Sequence, residues 1–338
     1  MENMGIVITS RIRLARNLKN YRFPVKMNRE EGQKVVQEVN DAIDRTNLNY
    51  ELKNMKDLSD VEKNSLMENH LISPDLAENK SEGAVLLSPD RKVSIMLNEE
   101  DHVRIQTLES GLALNECWDL GNKIDDVIEE SVDYAFDRDL GYVTSCPTNI
   151  GTGMRASVMI HLPALSITNQ TDKLLYGVSQ LGVAVRGVYG EGTKSMGHLY
   201  QISNQGTLGV SEETLIDKIT QIVKQIADKE EKTREYLKNN NSDELEDEVY
   251  RAYGLLTNAK KMTTEEAMKL ISLIKLGKEM KIIDFAGNID LYELMTKIQP
   301  GNLLYTTGKE MLPIERDKRR VEIIKGELLN NQTHNNIK

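Results

Sequence analysis

The chain has 338 residues, and 43 Lys and Arg against 53 Asp and Glu give it a formal net charge of −10 at pH 7. This length indicates two domains, each large enough to bury a core. The acidic balance argues against direct nucleic-acid binding, which needs a basic face, and no apolar run approaches the roughly 20 residues that cross a bilayer. Without a signal-peptide core or a CxxC pair, the sequence predicts a cytoplasmic globular protein with no membrane partner, disulfide framework or structural zinc site.

The first two thirds of the chain alternate helix-like and strand-like stretches. A helix is predicted over 29–46, where Val35, Val39 and Ile43 recur at helical spacing. A hairpin turn is predicted at SPDRK, residues 88–92, between two short β-type runs. The remaining prediction is a long helix at 112–134 and strands at 84–88, 93–98, 103–108, 142–145, 157–162, 183–189 and 199–204.

After about residue 211 the chain is predominantly helical. The pattern predicts a helix from Ser211 to about 238, a polar break over 239–248, and an amphipathic helix over 263–277. We therefore predict an α+β fold: an antiparallel-sheet domain flanked by helices over residues 1–230, followed by a smaller all-α domain over 231–338.

The segment TSRIRLAR, residues 9–16, carries Arg11, Arg13 and Arg16. On a strand, Arg11 and Arg13 point to the same face, because side chains alternate with period two. Two neighbouring guanidiniums repel each other unless an anion lies between them, and phosphate suits their planar forks. The alternative is an exposed strand face with solvated charges.

The segment SCPTNIGTGMRAS, residues 145–157, combines glycines with Cys146 and Arg155. Its glycines allow a ligand to approach the backbone, whose N–H groups can surround a phosphate. It is neither a Walker A loop nor a GxGxxG fingerprint, and a plain glycine turn between strands is the alternative. The candidate loop residues are Asn149, Gly151, Thr152 and Gly153.

Two further segments carry carboxylates. In NEEDHVR, residues 98–104, Glu100 precedes Arg104, and in RGVYGEGT, residues 186–193, Arg186 begins a loop that carries Glu191. Taken singly, these are a solvated turn and an ordinary surface loop. Taken together, five arginines suit a polyphosphate, and two carboxylates suit a cation facing it, which predicts a phosphoryl-transfer site.

These four segments resemble the catalytic signatures of the phosphagen (guanidino) kinases, in order over about residues 5–210, and CPTNIGTG is the most specific of them. The resemblance implies that Glu100 is the catalytic carboxylate, that Glu191 is a second carboxylate on a mobile loop, and that Cys146 lies beside the substrate guanidinium. It also implies ATP-binding roles for Arg11, Arg13, Arg104, Arg155, Arg186 and His70. Met159 departs from the family, because it stands where a nucleotide-contacting histidine is usual.

The overall layout resembles one branch of that family, the McsB-type bacterial protein arginine kinases. The chain starts almost directly at the first catalytic strand, without the family's small helical domain, and has a helical extension after about residue 235. RDKRRV, residues 316–321, resembles an RDxxRA element, with Val321 in place of the Ala. This likeness implies an allosteric phosphoarginine pocket made by Arg316, Asp317 and Arg320, although the residues alone equally suit a basic helix face.

The resemblance implies a kinase that transfers the γ-phosphate of ATP to arginine side chains of proteins, as a tag in stress response and regulated proteolysis. ATP would bring Mg²⁺ held by phosphates and water, without a protein metal site. The implied partners are proteins with exposed arginines, an activator protein, a heat-shock repressor and a Clp unfoldase, with a homodimer as the assembly. A kinase of a free guanidino compound and a non-catalytic adaptor are the alternatives.

Overall fold

The structure is a computed structural model that describes residues 5–78, 82–188, 195–285 and 289–330. The chain up to residue 240, here called the sheet region, contains all the described strands, and residues 242–330, the helical region, contain helices and turns. The strands are β1 (Val7–Arg16), β2 (Glu51–Asn54), β3 (Ala84–Leu87), β4 (Val93–Leu97), β5 (Val103–Ser110), β6 (Phe136–Asp137), β7 (Gly141–Tyr142), β8 (Met154–His161), β9 (Val183–Gly187) and β10 (Leu199–Asn204).

The helices lie on both sides of the sheet and make up the C-terminal part of the chain. In order they are α1 (Arg29–Asp44), α2 (Asp60–Glu68), α3 (Pro74–Glu78), α4 (Leu114–Glu129), α5 (Pro163–Ile167), α6 (Thr171–Ser179), α7 (Glu212–Asn240), α8 (Ser242–Asn258), α9 (Thr264–Glu279), α10 (Leu291–Lys297), α11 (Pro300–Thr307) and α12 (Pro313–Asn330). Several begin at a capping residue: Asn28 before α1 and Ser211 before α7 each accept a hydrogen bond from a backbone N–H of the first turn. Among the described residues, no helix is both long and apolar enough to span a membrane.

Eight strands form one antiparallel sheet in the order β2-β3-β4-β5-β1-β8-β10-β9. The central strand β1 alternates between two environments. Ile12 and Leu14 are fully buried in the main core, which α1, α4 and α7 complete. Because the period is two, Arg11 and Arg13 lie on the opposite face. One face of the sheet therefore packs on the main core, and the opposite face, which carries Arg11 and Arg13, is here called the charged face.

The sheet and the helical region share a second core. Met159 of β8 and Leu199 of β10 belong to the same buried cluster as Leu276 of α9 and Ile324 of α12. A third, smaller cluster around Met55 and Leu76 lies under α2 and α3. The helical region is thus packed onto the sheet through continuous apolar contacts.

The predicted fold class is confirmed, and three local predictions change. The polar break at 239–248 is wrong, since Asn241 alone separates α7 from α8, and Leu245 and Val249 give this acidic stretch a buried face. The helix predicted over 112–134 ends at Glu129, and the strand predicted over 142–145 is reduced to the end of the two-residue β7. The proposed domain boundary at residue 230 falls within the continuous helix α7, and that division stays a prediction.

Candidate active site

Two adjoining cavities open on the charged face of the sheet. Their volumes are about 340 and 400 Å³, and Arg13, Ser73, Pro74 and Arg186 line both, so they form one cleft. The first cavity brings together most of the residues that the sequence singled out. Its lining includes Glu100, Arg104, Cys146, Asn149, Gly153 and Arg155.

The register of the sheet places the arginines side by side. Arg13 of β1 lies directly opposite Arg155 of β8, and Arg11 lies opposite Ser157. On the other side of β1, Arg104 of β5 lies opposite Ala15, which is the next residue after Arg13 on the same face of the strand. The alternation in the sequence and the antiparallel pairing therefore concentrate positive charge on a single patch of the sheet.

Neutral groups, not carboxylates, meet the deepest guanidiniums. Arg11 donates to Gln201 Oε1 at 2.6 Å and to Ser157 Oγ at 3.2 Å. The buried Nε atoms of Arg13 and Arg155 have no hydrogen-bond partner among the described residues. Orphaned buried donors are costly, so these atoms fit a ligand that brings acceptor oxygens.

Burial and mutual repulsion shift the pKa values of this cluster. Burial, aided by Arg155 and Arg104, lowers the pKa of Arg11 to about 10. Burial and the neighbouring arginines also lower the pKa of Arg13, and burial, Arg186 and Arg104 lower that of Arg155. Each direction reflects a positive charge that is buried among other positive charges, as expected for a polyphosphate site.

Glu100 and Arg104 stand together at the mouth of the first cavity. Arg104 Nη2 lies 3.1 Å from Glu100 Oε2, and Nη1 of the same guanidinium pairs with the fully buried carboxylate of Glu99. The Glu100 side chain keeps 42% of its surface exposed. Partial burial raises the pKa of Glu100, with Arg104 acting in the opposite direction. A carboxylate with a raised pKa and open access is suited to accept a proton.

The glycine-rich loop supplies the opposite wall of that cavity. Cys146 Sγ lies 3.0 Å from Thr148 Oγ1, and both residues line the cavity. Gly153 adopts φ 64°, and a Cβ there would lie 2.6 Å from the Ala15 carbonyl oxygen, so the loop approaches β1 as only glycine allows.

Two of the four predicted loop residues face the fold instead of the cavity. Gly151 exchanges backbone hydrogen bonds with Tyr142, and a Cβ there would lie 2.4 Å from the Thr207 carbonyl oxygen. The Thr152 carbonyl accepts a hydrogen bond from Arg16. These contacts hold the loop in place, whereas Asn149 and Gly153 line the cavity.

The second cavity is more apolar. Met67, Ile72, Met96 and Val188 line it together with His70 and Arg11. His70 has a positive φ of 58°, and its carbonyl oxygen accepts a hydrogen bond from Gln106. Burial lowers the pKa of His70 to about 4, so the ring is neutral at physiological pH. An apolar wall with a neutral imidazole beside arginines suits a nucleoside.

The sequence singled out five further positions: Glu191, Met159, Arg316, Asp317 and Arg320. Glu191 falls outside the described residues. Met159 is 7% exposed and belongs to the second core. Arg320 is 1% exposed and donates to the carbonyls of Ile298 and Met262 and to Asp317 Oδ1, while Arg316 and Asp317 are half-buried. The phosphoarginine pocket at these residues stays a prediction.

Helix α3 lines the first cavity, although no motif in the sequence points to it. Ser73 caps this helix through the Leu76 N–H and also bonds to Glu99, and Asp75 adds a second carboxylate to the lining of the first cavity. Ser-Pro-Asp is a typical helix start, and this signal was available. Its position beside Glu100 arises from the tertiary fold, which local pattern does not encode.

Two family models match the chain. Residues 32–233 match the C-terminal catalytic domain of the ATP:guanido phosphotransferases, and residues 242–338 match the C-terminal domain of the protein-arginine kinase McsB. A protein-arginine kinase of Caldanaerobacter subterraneus subsp. tengcongensis is 48% identical over 96% of this chain and 97% of its own length. One of Moorella thermoacetica is 48% identical over 96% and 95%. The chain belongs to the protein-arginine kinase family.

Solved structures of other guanidino kinases support the fold of this protein-arginine kinase family member. The duplicated taurocyamine kinase of Schistosoma mansoni, with bound components of a transition-state analogue, superposes with a TM-score of 0.60 at 23% identity, over 69% of this chain and 34% of that one. A lombricine kinase gives 0.58 at 24%, over 68% and 67%. The predicted family is confirmed, and with it a phosphotransferase that uses ATP.

Proposed function

We propose that this protein transfers the γ-phosphate of ATP to arginine side chains of proteins. The observation that carries the proposal is the cleft itself, where two arginines whose buried Nε atoms have no partner in the described part of the chain lie beside an accessible carboxylate and a cysteine. Membership of the protein-arginine kinase family supports protein arginine as the acceptor.

ATP would lie along the cleft, with its base in the second cavity near His70 and its phosphates on the arginines. The Nε donors of Arg13 and Arg155, which have no partner among the described residues, fit phosphate oxygens. Arg186 lines both cavities, and Arg11 lines the second. Asn149 and Gly153 would border the phosphates from the loop side. Mg²⁺ bound to the phosphates would offset their charge and hold them in a reactive geometry.

The acceptor guanidinium requires activation, because its pKa lies above about 12 and its lone pairs are delocalised. Glu100 would orient one nitrogen and take its proton while that nitrogen forms a bond to the γ-phosphorus. The bond between the γ-phosphorus and the bridging oxygen breaks, and ADP leaves. Cys146 would help to place the guanidinium, and Glu191 would supply a second carboxylate.

Charge on the transferring phosphoryl group would be offset by guanidiniums that are already in position. The guanidinium of Arg104 is fixed by Glu99 and Glu100, and the backbone of Arg155 is held in β8 opposite Arg13. Groups that need not reorganise during the reaction stabilise the transition state more than mobile ones.

The helical region is proposed to regulate this reaction and to bind partners. Arg316, Asp317 and Arg320 would form a phosphoarginine site, and residues 1–230 and 231–338 would act as two units. By family resemblance, the protein would work in the cytoplasm as a homodimer, with an activator protein, a heat-shock repressor and a Clp unfoldase. With these partners, phosphoarginine would serve as a reversible tag in stress response and regulated proteolysis.

The test is incubation with Mg·ATP and an arginine-rich protein, in parallel with free arginine, followed by mass spectrometry without acid. We expect phosphate on protein arginines and far less of it, at equal times, after substitution Glu100→Gln. Transfer to free arginine alone would instead identify a small-molecule guanidino kinase. Absence of transfer to either acceptor, also after addition of an activator protein, would refute the proposal.

A further inference from the structure

The end of α2 links the nucleotide cavity to the helical region. Met67, Glu68 and His70 line the second cavity. The Glu68 carboxylate accepts hydrogen bonds from the backbone N–H groups of Gly301, at 2.7 Å, and Asn302, at 2.6 Å. These two residues form the first turn of α11, so Glu68 caps a helix that lies more than two hundred residues away in the sequence.

A second set of bonds fixes the same contact. Asn302 Oδ1 accepts from Ser65 Oγ at 2.6 Å and from Asn69 Nδ2 at 2.8 Å, and Asn302 is 6% exposed. At Gly301, a Cβ would lie 2.8 Å from Asn64 Cβ and 3.0 Å from Glu68 Cδ. The close approach of α11 to α2 therefore depends on the carboxylate of Glu68 and on the lack of a Cβ at Gly301.

The negative charge of Glu68 bears directly on nucleotide binding in this cavity. A carboxylate on the wall of a cavity that holds a polyphosphate nucleotide should weaken binding by repulsion. Glu68 directs its oxygens to the positive end of α11, where the N–H groups and the helix dipole offset its charge. Burial nevertheless raises its pKa, with the two N–H groups acting in the opposite direction.

From these contacts we infer that Glu68 is a positioning residue for the nucleotide. By capping α11, it holds the end of α2 so that Met67 and His70 form one wall of the nucleoside cavity. The helical region therefore contributes to nucleotide affinity without touching the nucleotide. The inference rests on the proposed function, because it takes this cavity as the nucleoside site.

The substitution Glu68→Gln tests the inference, because a positioning role and a simple wall charge predict opposite changes in nucleotide affinity. A glutamine amide presents one acceptor and one donor, so one α11 N–H loses its partner. We expect the Kd for Mg·ADP and the KM for ATP to rise about 3- to 10-fold, with kcat and the KM for protein substrate within twofold. If Glu68 were only a wall charge, its neutralisation would tighten binding, and this result would overturn the inference.

Glu62→Gln is the matched control. Glu62 lies on the same helix, but its carboxylate caps α2 through Ser59. The same change of charge there should leave the Kd for Mg·ADP unaltered. An equal loss of affinity in both variants would show a general charge effect and would also overturn the inference.

Gly301→Ala tests the contact from the α11 side and serves in place of Glu68→Gln if that variant fails to fold. We expect a similar rise in the Kd for Mg·ADP, whereas Gly254→Ala, where no heavy atom lies within 4 Å, should have none. Wild-type protein that neither binds Mg·ADP nor transfers phosphate would refute the proposed function. Wild-type protein that does both, with unchanged affinity in folded Glu68→Gln and Gly301→Ala, would refute this inference alone.

Discussion

Arg13 and Arg16 lie three residues apart on β1 and project from opposite faces of the sheet. Arg16 is 1% exposed, pairs with Asp125 at 2.7 Å, and lies 3.5 Å from the centroid of the Tyr142 ring. Arg13 faces another arginine across the strand pair, and its Nε has no partner in the described part of the chain. Arg16 thus stabilises the fold, whereas Arg13 is repelled by its neighbour until an anionic ligand binds.

Substitution of these two arginines by methionine should have opposite consequences. Arg16→Met leaves Asp125 buried without its partner, so the free energy of unfolding should fall by about 3–5 kcal/mol. Arg13→Met should keep or raise that free energy in nucleotide-free protein while abolishing Mg·ADP binding. Urea denaturation and nucleotide titration measure both. An equal destabilisation by the two changes would contradict the distinction.

Glu100→Gln should separate chemistry from binding. Loss of the proton acceptor should lower kcat by about 10²- to 10⁴-fold, with the Kd for Mg·ADP within twofold of wild type. Glu109→Gln is the control, since Glu109 lies at the far end of β5 from the turn that carries Glu100 and pairs with Lys92. Steady-state kinetics with detection of ADP measure the effect. Retained kcat in Glu100→Gln would eliminate Glu100 as the base.

The residue types of the site were predictable because their motifs are local. Alternation on one strand places Arg11 and Arg13 on one face without any knowledge of the fold. The structural roles of Gly151 and Thr152 were not predictable, because they depend on residues from distant segments. Gly151 packs against the Thr207 backbone, and Thr152 accepts a hydrogen bond from Arg16. Local patterns identify which groups are available, and the tertiary fold determines which of them reach the ligand.

At the scale of elements, α8 and α9 show how closely the helical region is packed. A Cβ on Gly277 of α9 would lie 2.4 Å from Val249 Cγ1 of α8. This proximity also explains the failed prediction of a polar break, because the acidic start of α8 carries buried Leu245 and Val249 at helical spacing. Composition suggested a linker, while the spacing of these two residues would have predicted a helix.

Alanine substitutions at two helical glycines should therefore change the free energy of unfolding in opposite directions. Gly277→Ala forces α8 and α9 apart and should destabilise the protein by about 1–3 kcal/mol. Gly254→Ala, which meets no neighbouring atom, should stabilise it by up to about 1 kcal/mol through helix propensity. Thermal unfolding followed by circular dichroism measures both. A neutral Gly277→Ala would show that the helices have room to relax.

At the scale of the whole molecule, a buried polar junction joins the sheet to the helical region. Ser272 Oγ of α9 lies 2.7 Å from His161 Nε2 and 2.8 Å from His198 Nδ1. Burial lowers the pKa of His198 to about 4, and burial with nearby Lys275 and Arg234 lowers that of His161 well below its ordinary value. Both rings are neutral in the folded protein at pH 7.

This junction predicts acid sensitivity. The folded pKa values lie below the unfolded value of about 6.5, so between about pH 6.5 and 4 the unfolded chain binds more protons, and stability falls as pH falls. Each histidine should cost about 1–2 kcal/mol at pH 5 relative to pH 7.5. Urea denaturation at both values measures this, and His198→Asn, which suits the positive φ at that position, should reduce the difference. Equal stability at both pH values would contradict the assignment.

The arginine patch should make the resistance of the protein to proteases depend on bound nucleotide. A ligand that binds only the folded state adds about 2.7 kcal/mol of stability at one hundred times its Kd, so abundant nucleotide suppresses transient unfolding. When nucleotide is depleted, the repulsion between Arg13 and Arg155 is no longer offset, and the open chain becomes available to proteases. Digestion by thermolysin should accordingly slow as Mg·ADP is added, and Arg13→Met should remove this dependence. An enzyme of this design is degraded fastest when its own substrate is absent.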